Sequence, residues 1–283
     1  PTPYVCVLFD AVTAGLRAFN LLEAQPDVDP QKLCMTGISW GGYMVTMLSG
    51  LLDERVKGTF NLYGSGFYQL EAIGSGALKK MDEADRNTWL KCFDAGTRLN
   101  RCRATYLLYS SANDIFFKPP SVMATLDAIP AGKYICFGPN KSHYMSLPGG
   151  PVRWEYPINA EIEPAFFAHV LAGGNPPLPE PNAVAVPRDG KVLKFTVKNC
   201  PDRAAGWFYV SWLPDQPRGW DARDWARLEA VPGSNGEFTC AIPESLGAFD
   251  WFGGITFTLK AGTFAQPMSL STKIYRCGEG PAK

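Results

Sequence analysis

The sequence predicts an α/β chain, a mostly parallel sheet with flanking helices, followed by a small all-β antiparallel sandwich. Helical and strand patterns alternate over its first two-thirds. Proline and glycine then crowd the stretch Gly173-Gly-Asn-Pro-Pro-Leu-Pro-Glu-Pro-Asn182, and beyond it apolar residues recur at every second position. Strands separated by helices imply parallel pairing, whereas short alternating strands joined by turns imply an antiparallel sandwich. A length of 283 residues fits one large or two moderate domains.

Taken in order, Phe9 to Ala24 carries Val12, Leu16, Phe19 and Leu22 at helical spacing, and Pro26 ends it. Lys32–Gly37 is a short strand, followed by a helix from about Gly41 to Leu51 and a strand over Val56–Tyr63. The polar stretch from Leu78 to Leu99 reads as one connecting helix with a solvated face, or part of a lid. Thr105–Tyr109 and Lys133–Phe137 are buried strands, and Ile158–Leu171 is a closing helix. Residues 1–173 thus form the sheet part and 174–185 a stiff linker that proline bars from helix and central strand. Residues 186–283 form a fibronectin- or immunoglobulin-like sandwich. In it Leu193, Phe195 and Val197 alternate with polar neighbours, as do Phe238, Cys240 and Ile242 after an Asn235-Gly236 turn, and Ile255, Phe257 and Leu259.

Charge narrows the partners. Lys and Arg total 27, as do Asp and Glu, so no basic field exists to hold nucleic acid or an anionic membrane. No apolar run is long enough to span a bilayer. The eight cysteines form no C-x-x-C pair and do not cluster with the two histidines, so a structural zinc site is not expected. Cys34 and Cys136 read as buried thiols. Cys92 with Cys102, or two of the three late cysteines, have the chance to pair in an oxidising setting. The compartment stays open, a secreted or periplasmic one included.

The chemistry concentrates in Gly37-Ile38-Ser39-Trp40-Gly41, which lies between a predicted strand and a predicted helix. A turn this tight strains the serine backbone, demands small residues two positions to either side, and lifts Oγ above the sheet. The Trp40 N–H and the positive helix start then face any oxyanion formed there. A bland reading, in which Ser39 merely starts a helix, competes. A serine needs a base. His169 lies on the apolar face of the closing helix and reads as packed; His143 hangs in a loop directly after a buried strand. Asp114 follows the strand Thr105–Tyr109 through Ser110-Ser-Ala-Asn113, in the chain order Ser, acid, His that this arrangement uses. It would fix the imidazole tautomer.

Ser39-Trp-Gly-Gly-Tyr43, Asn113-Asp114-Ile-Phe-Phe117 and Pro139-Asn-Lys-Ser-His143 resemble the acetylxylan esterase, dienelactone hydrolase and prolyl oligopeptidase branch of the α/β-hydrolases. The helix Phe9–Ala24 with Pro26-Asp-Val-Asp-Pro30 is similar to the segment those esterases carry ahead of the nucleophile. Ala222-Arg-Asp-Trp225, Phe257-Thr-Leu-Lys260 and Ser271-Thr-Lys-Ile-Tyr275 resemble the C-terminal domain of PhoPQ-activated pathogenicity-related proteins, although that family carries a basic residue where this chain has Trp40. The resemblance implies about eight strands, of which the sequence yields four. The chain therefore reads as the C-terminal part of the catalytic domain, with strand Lys32–Gly37 left as an apolar edge. The second oxyanion donor is expected upstream, and the piece alone is expected to be poorly soluble or inactive.

The resemblance implies a serine hydrolase acting on a small ester or acylated carbohydrate through Ser39, Asp114 and His143, with Trp40 in the oxyanion hole and no metal or cofactor. A serine peptidase of the prolyl oligopeptidase type and an inactive carbohydrate-binding scaffold stay open beside it. Trp207, Trp212, Trp220, Trp225 and Trp251 either stack on sugars or pack the sandwich core, and packing is the ordinary use. Gly149-Gly150 and Gly253-Gly254 do not lead from a strand into a helix, so they offer no phosphate loop.

Overall fold

The computed structural model describes residues 4, 6–130, 132–143, 158–184, 192–212, 219–242 and 248–277. By compactness the chain divides into Pro1–Leu108 with Phe116–Lys133, and Tyr109–Ile115 with Tyr134–Lys283.

In the first unit, helix α1 (Val7–Glu23) is held to the end of α2 (Trp40–Leu52) through Arg55, which pairs with Glu23 at 2.5 Å and lies over the Phe19 ring. Asp29 accepts the Gln31 N–H at 2.9 Å and opens the short turn into β1 (Cys34–Ile38). Strand β2 (Gly58–Leu62) is wholly buried and pairs in parallel with β1, from Cys34 opposite Gly58 to Ile38 opposite Leu62. β1 lies at the edge of the described sheet and is only partly covered.

The polar stretch expected as one helix is broken into α3 (Ser75–Lys80), α4 (Glu83–Phe93) and a 3-10 turn at Ala95–Arg101. The cause is a pair of aspartates. Asp82 caps the start of α4 by accepting the Asp85 N–H, and Asp94 caps the turn that follows by accepting the Gly96 N–H. A helix not assigned from the sequence, α5 (Pro119–Ala128), lies between β3 (Thr105–Ser111) and β4 (Lys133–Gly138). Its opening prolines fit the first helical turn, where an N–H has no partner to lose.

The sheet runs β1-β2-β3-β4. Tyr106 N–H bonds the Gly132 carbonyl and Ala112 N–H bonds that of Gly138, the same offset at both ends of the pair, as parallel strands require.

In the second unit, α6 (Ile158–Leu171) is followed by β5 (Glu180–Ala183), β6 (Val192–Lys198), β7 (Ala205–Trp212), β8 (Ala226–Glu229) and β9 (Val231–Pro232). Then come β10 (Glu237–Ala241), β11 (Phe249–Ala261), β12 (Phe264–Ser271) and β13 (Tyr275–Arg276). They form two antiparallel sheets, β5-β6-β10-β9 and β12-β11-β7-β8, with β13 beside β11. Phe195 on β6 meets Phe208 on β7 at 5.0 Å between ring centroids, so the two inner faces interdigitate as a sandwich. The expected inward residues Leu193, Phe195, Val197, Phe238, Cys240, Ile242, Ile255, Phe257 and Leu259 are all buried. The proline-rich stretch expected as linker differs in one respect. Its second half contains β5, and Pro181 is tolerated there because β5 is an edge strand.

Candidate active site

Ser39 stands between β1 and α2 with φ 57° and ψ −115°, a conformation that costs a non-glycine residue about 1–3 kcal/mol. Its N–H is fixed to the Leu62 carbonyl at 2.8 Å, and its own carbonyl accepts the Tyr43 N–H at 3.0 Å. The hydroxyl makes no capping bond to the helix it precedes, which removes the main reason for a serine to start a helix. The surroundings hold the strained turn in place. A Cβ on Gly37 would come within 2.1 Å of the Gly41 carbonyl oxygen, and one on Gly42 within 2.3 Å of Asn61 Oδ1. Gly41 corrects the expectation from the motif, since a Cβ there meets nothing within 4 Å among the described residues. The close approach falls one residue later.

Asn61 is a residue that the sequence reading missed. Fully buried on β2, it accepts the Gly64 N–H at 2.9 Å and donates toward the hydroxyls of Thr46 and Tyr106 and the Gly64 carbonyl. It thereby binds α2, β3 and the loop after β2 to one another. Tyr63, Phe67 and Glu71 in that loop all have positive φ, and Asp94 holds it by accepting the N–H groups of Phe67 and Tyr68 at 2.7 and 2.8 Å. A single asparagine inside the apolar run Thr59-Phe-Asn-Leu62 was the available signal. Trp40 is about half exposed and sets its ring edge-on to Tyr43, which begins an aromatic group continuing through Tyr68 to Trp89 and Phe117.

The other two candidates belong to the second unit, and the structure brings them together. His143 Nδ1 lies 2.9 Å from Asp114 Oδ2 and 3.1 Å from Oδ1. The Asp114 side chain is fully buried, and that of His143 is 16% exposed. A carboxylate at Nδ1 fixes the tautomer that leaves Nε2 to act as a base. Asp114 leaves the C-terminal end of β3 and His143 that of β4, just as Ser39 leaves the C-terminal end of β1. Ser111 joins the acid and histidine loops, its hydroxyl bonding the Lys141 carbonyl while accepting the Asn113 N–H at 3.1 Å.

Other signals resolve into packing. Trp207, Trp220, Trp225 and Trp251 are buried, and Trp212 is the one exposed sandwich tryptophan among the described residues. Gly253 and Gly254 lie within β11 under Phe195 and Trp207, where any side chain would collide, and Gly149-Gly150 lies outside the described residues. His169 is buried, and that burial pushes its pKa below the ordinary 6.5. All eight cysteines are unpaired. Cys136 is fully buried, whereas Cys34 is only partly so. Burial raises the thiols of Cys34 and Cys102 to about 11, so neither competes with a serine as nucleophile near neutral pH. No group of three or more His, Cys, Asp or Glu able to hold a metal occurs among the described residues, and no described helix is long and apolar enough to cross a membrane.

No family model and no curated protein matches the chain. Among solved structures it is similar to acetyl xylan esterase 1 from Thermoanaerobacterium sp. JW/SL YS485, with 19% identity, a TM-score of 0.41, and coverage of 50% of this chain and 48% of that one. The acetyl xylan esterase from Paenibacillus sp. R4 shares 19% identity at a TM-score of 0.45, over 57% of this chain and 51% of that one. Dipeptidyl peptidase 4 from Porphyromonas gingivalis shares 17% identity at a TM-score of 0.47, over 57% of this chain and 23% of that one. The match thus spans about half the length of the two esterases and a quarter of the peptidase. Likeness this distant is a matter of partial shape and carries no weight for what the chain does.

Proposed function

We propose that the chain is the nucleophile-bearing part of a serine hydrolase of α/β-hydrolase type that cleaves carboxylic esters, with acylated carbohydrates as the substrate class. The observation that carries this reading is the backbone of Ser39. A non-glycine residue held at positive φ between a parallel strand and a helix, with no capping bond from its hydroxyl, is strain kept for a chemical use. The Asp114–His143 bond supplies what such a serine needs. In this reading His143 Nε2 takes the Ser39 proton as Oγ attacks the ester carbonyl, and the Trp40 N–H stabilises the oxyanion. His143 then returns the proton to the leaving alcohol, which departs as the carbonyl re-forms. Water, deprotonated by the same imidazole, attacks the acyl carbonyl. The bond to Ser39 Oγ then breaks, the imidazolium returns its proton to Oγ and the acid leaves, while Asp114 stabilises the imidazolium throughout. No step calls for a metal or cofactor. The substrate class rests on the motif resemblance to acetylxylan esterases alone.

The test uses the intact protein with a fluorophosphonate probe, a p-nitrophenyl acyl ester series, acetylated xylan and a prolyl p-nitroanilide peptide. The expected result is labelling at Ser39 and ester hydrolysis that falls about a thousandfold or more in Ser39→Ala, with folding unchanged. Turnover confined to the anilide would move the reading to a peptidase. Ester turnover equal in wild type and Ser39→Ala, or an unlabelled Ser39, would end it.

A further inference from the structure

The acid and histidine loops are tied to the sandwich through a short turn that serves no sheet of its own. Asn113, next to Asp114 and 4% exposed, donates through Nδ2 to the carbonyls of Trp220 at 3.3 Å and Arg223 at 2.6 Å. Its Oδ1 accepts the N–H of Asn140, three residues before His143, at 2.9 Å. Asn140, held at φ 56°, closes a two-bond clamp on Trp225, accepting its N–H and donating to its carbonyl, each at 2.7 Å. Two side chains from two loops thus read the backbone of one segment, residues 220–225.

That segment is itself anchored in the sandwich. The Arg223 guanidinium pairs with Asp250, a fully buried carboxylate on β11, and lies 3.5 Å from the centroid of the Trp220 ring. Arg276 on β13 completes the pair from the other side, with Nε 3.0 Å from Asp250. Trp225 packs edge-on against Phe252 of β11 at 5.0 Å. A buried ion pair is a poor source of net stability, since apolar residues of similar volume do as well, but it fixes one geometry against the alternatives. Hydrogen bonds to backbone groups fix positions in the same way, because a shifted loop would leave buried donors and acceptors without partners.

We propose that the turn 220–225 is a positioning brace for the Asp114–His143 pair, with Asn113 and Asn140 as positioning residues and Arg223–Asp250 as their anchor. The appended sandwich is then a working part of the candidate site rather than a passenger. Its effect on turnover rests on the hydrolase reading; its effect on the imidazole does not.

The test therefore begins with the imidazole. In intact protein carrying His169→Gln, which leaves His143 as the one histidine of this chain, the Nδ1-bound proton of His143 should give a downfield, slowly exchanging signal in ¹H–¹⁵N spectra. Asn140→Ala should broaden that signal or speed its exchange about tenfold, a misplacement that in catalysis would lower kcat about 10- to 100-fold with KM within about threefold. Arg223→Lys keeps the buried charge opposite Asp250 but loses the planar face over Trp220, and it should act in the same direction more weakly. It also decides the matter should Asn140→Ala fail to fold. A spectrum of the His169→Gln protein lacking the signal would overturn the brace. So would an Arg223→Lys or folded Asn140→Ala variant that keeps the signal and kcat while only its melting temperature falls. If the variants disturb the signal but the wild type hydrolyses no ester, the brace stands and the hydrolase reading fails.

Discussion

His143 and His169 show how far a side chain is legible from its place in the sequence. Both follow apolar runs, yet one hangs in a loop beyond a strand and meets a buried carboxylate, while the other is enclosed in α6. Burial holds His169 below its ordinary pKa of 6.5, so it folds in the neutral form. Above 6.5 both folded and unfolded chains carry it neutral and the stability it permits is complete. As pH falls below 6.5 the unfolded chain takes up a proton that the folded one resists, and stability is lost until the lowered folded value is passed. Urea midpoints at about pH 7.5, 6.5 and 5.5 should fall more steeply for wild type than for His169→Gln. Equal slopes would mean that His169 titrates normally. The contacts of Asn113 and Asn140 were beyond reading, because their partners lie about a hundred residues away and an asparagine in a loop is ordinary turn chemistry.

Local elements were legible where one interaction decides them. Asn235 and Gly236 both have positive φ, as the centre of the β-turn closed by the Glu237 N–H on the Ser234 carbonyl at 3.1 Å needs, and the dipeptide alone announced a turn between β9 and β10. The strand–Ser39–helix turn was legible for the same reason. The capping aspartates that cut Leu78–Leu99 into pieces were visible too, but a charged stretch without apolar periodicity hides where one helix stops. The turn at Ser39 gives a sharp test of which glycine its geometry requires. Gly42→Ala pushes a methyl into Asn61 Oδ1 at 2.3 Å and the Leu62 carbonyl at 2.8 Å, and should cost about 1–3 kcal/mol. Gly41→Ala meets nothing within 4 Å among the described residues, early in α2, where alanine is the better helix former, and should be neutral or gain up to about 1 kcal/mol. Chemical denaturation of the two variants should order them so. The reverse order would mean that the motif glycine is needed for a contact beyond the described residues.

Composition marks a break at Gly173, whereas compactness places β4, α6 and the sandwich in one unit, and the difference has a physical source. A linker is legible as proline and glycine; the hydrogen bonds that cross it are not. The Tyr109 hydroxyl, wholly buried on β3, donates to the Ser269 carbonyl at 2.9 Å, and burial drives its pKa well above the ordinary 10.0. The Phe137 N–H on β4 donates to Ser271 Oγ at 3.0 Å, and α6 packs on β11 and β12. A chain ending at Gly173 would leave these donors, and the amides of Asn113 and Asn140, without protein partners. Each orphaned group that stays buried costs about 1–3 kcal/mol, and several together rival the 5–15 kcal/mol that stabilises a whole domain. The truncated chain should therefore show no cooperative urea transition and little near-ultraviolet circular dichroism, under conditions where the full chain shows both. A sharp transition in the truncated chain would make residues 1–173 self-sufficient.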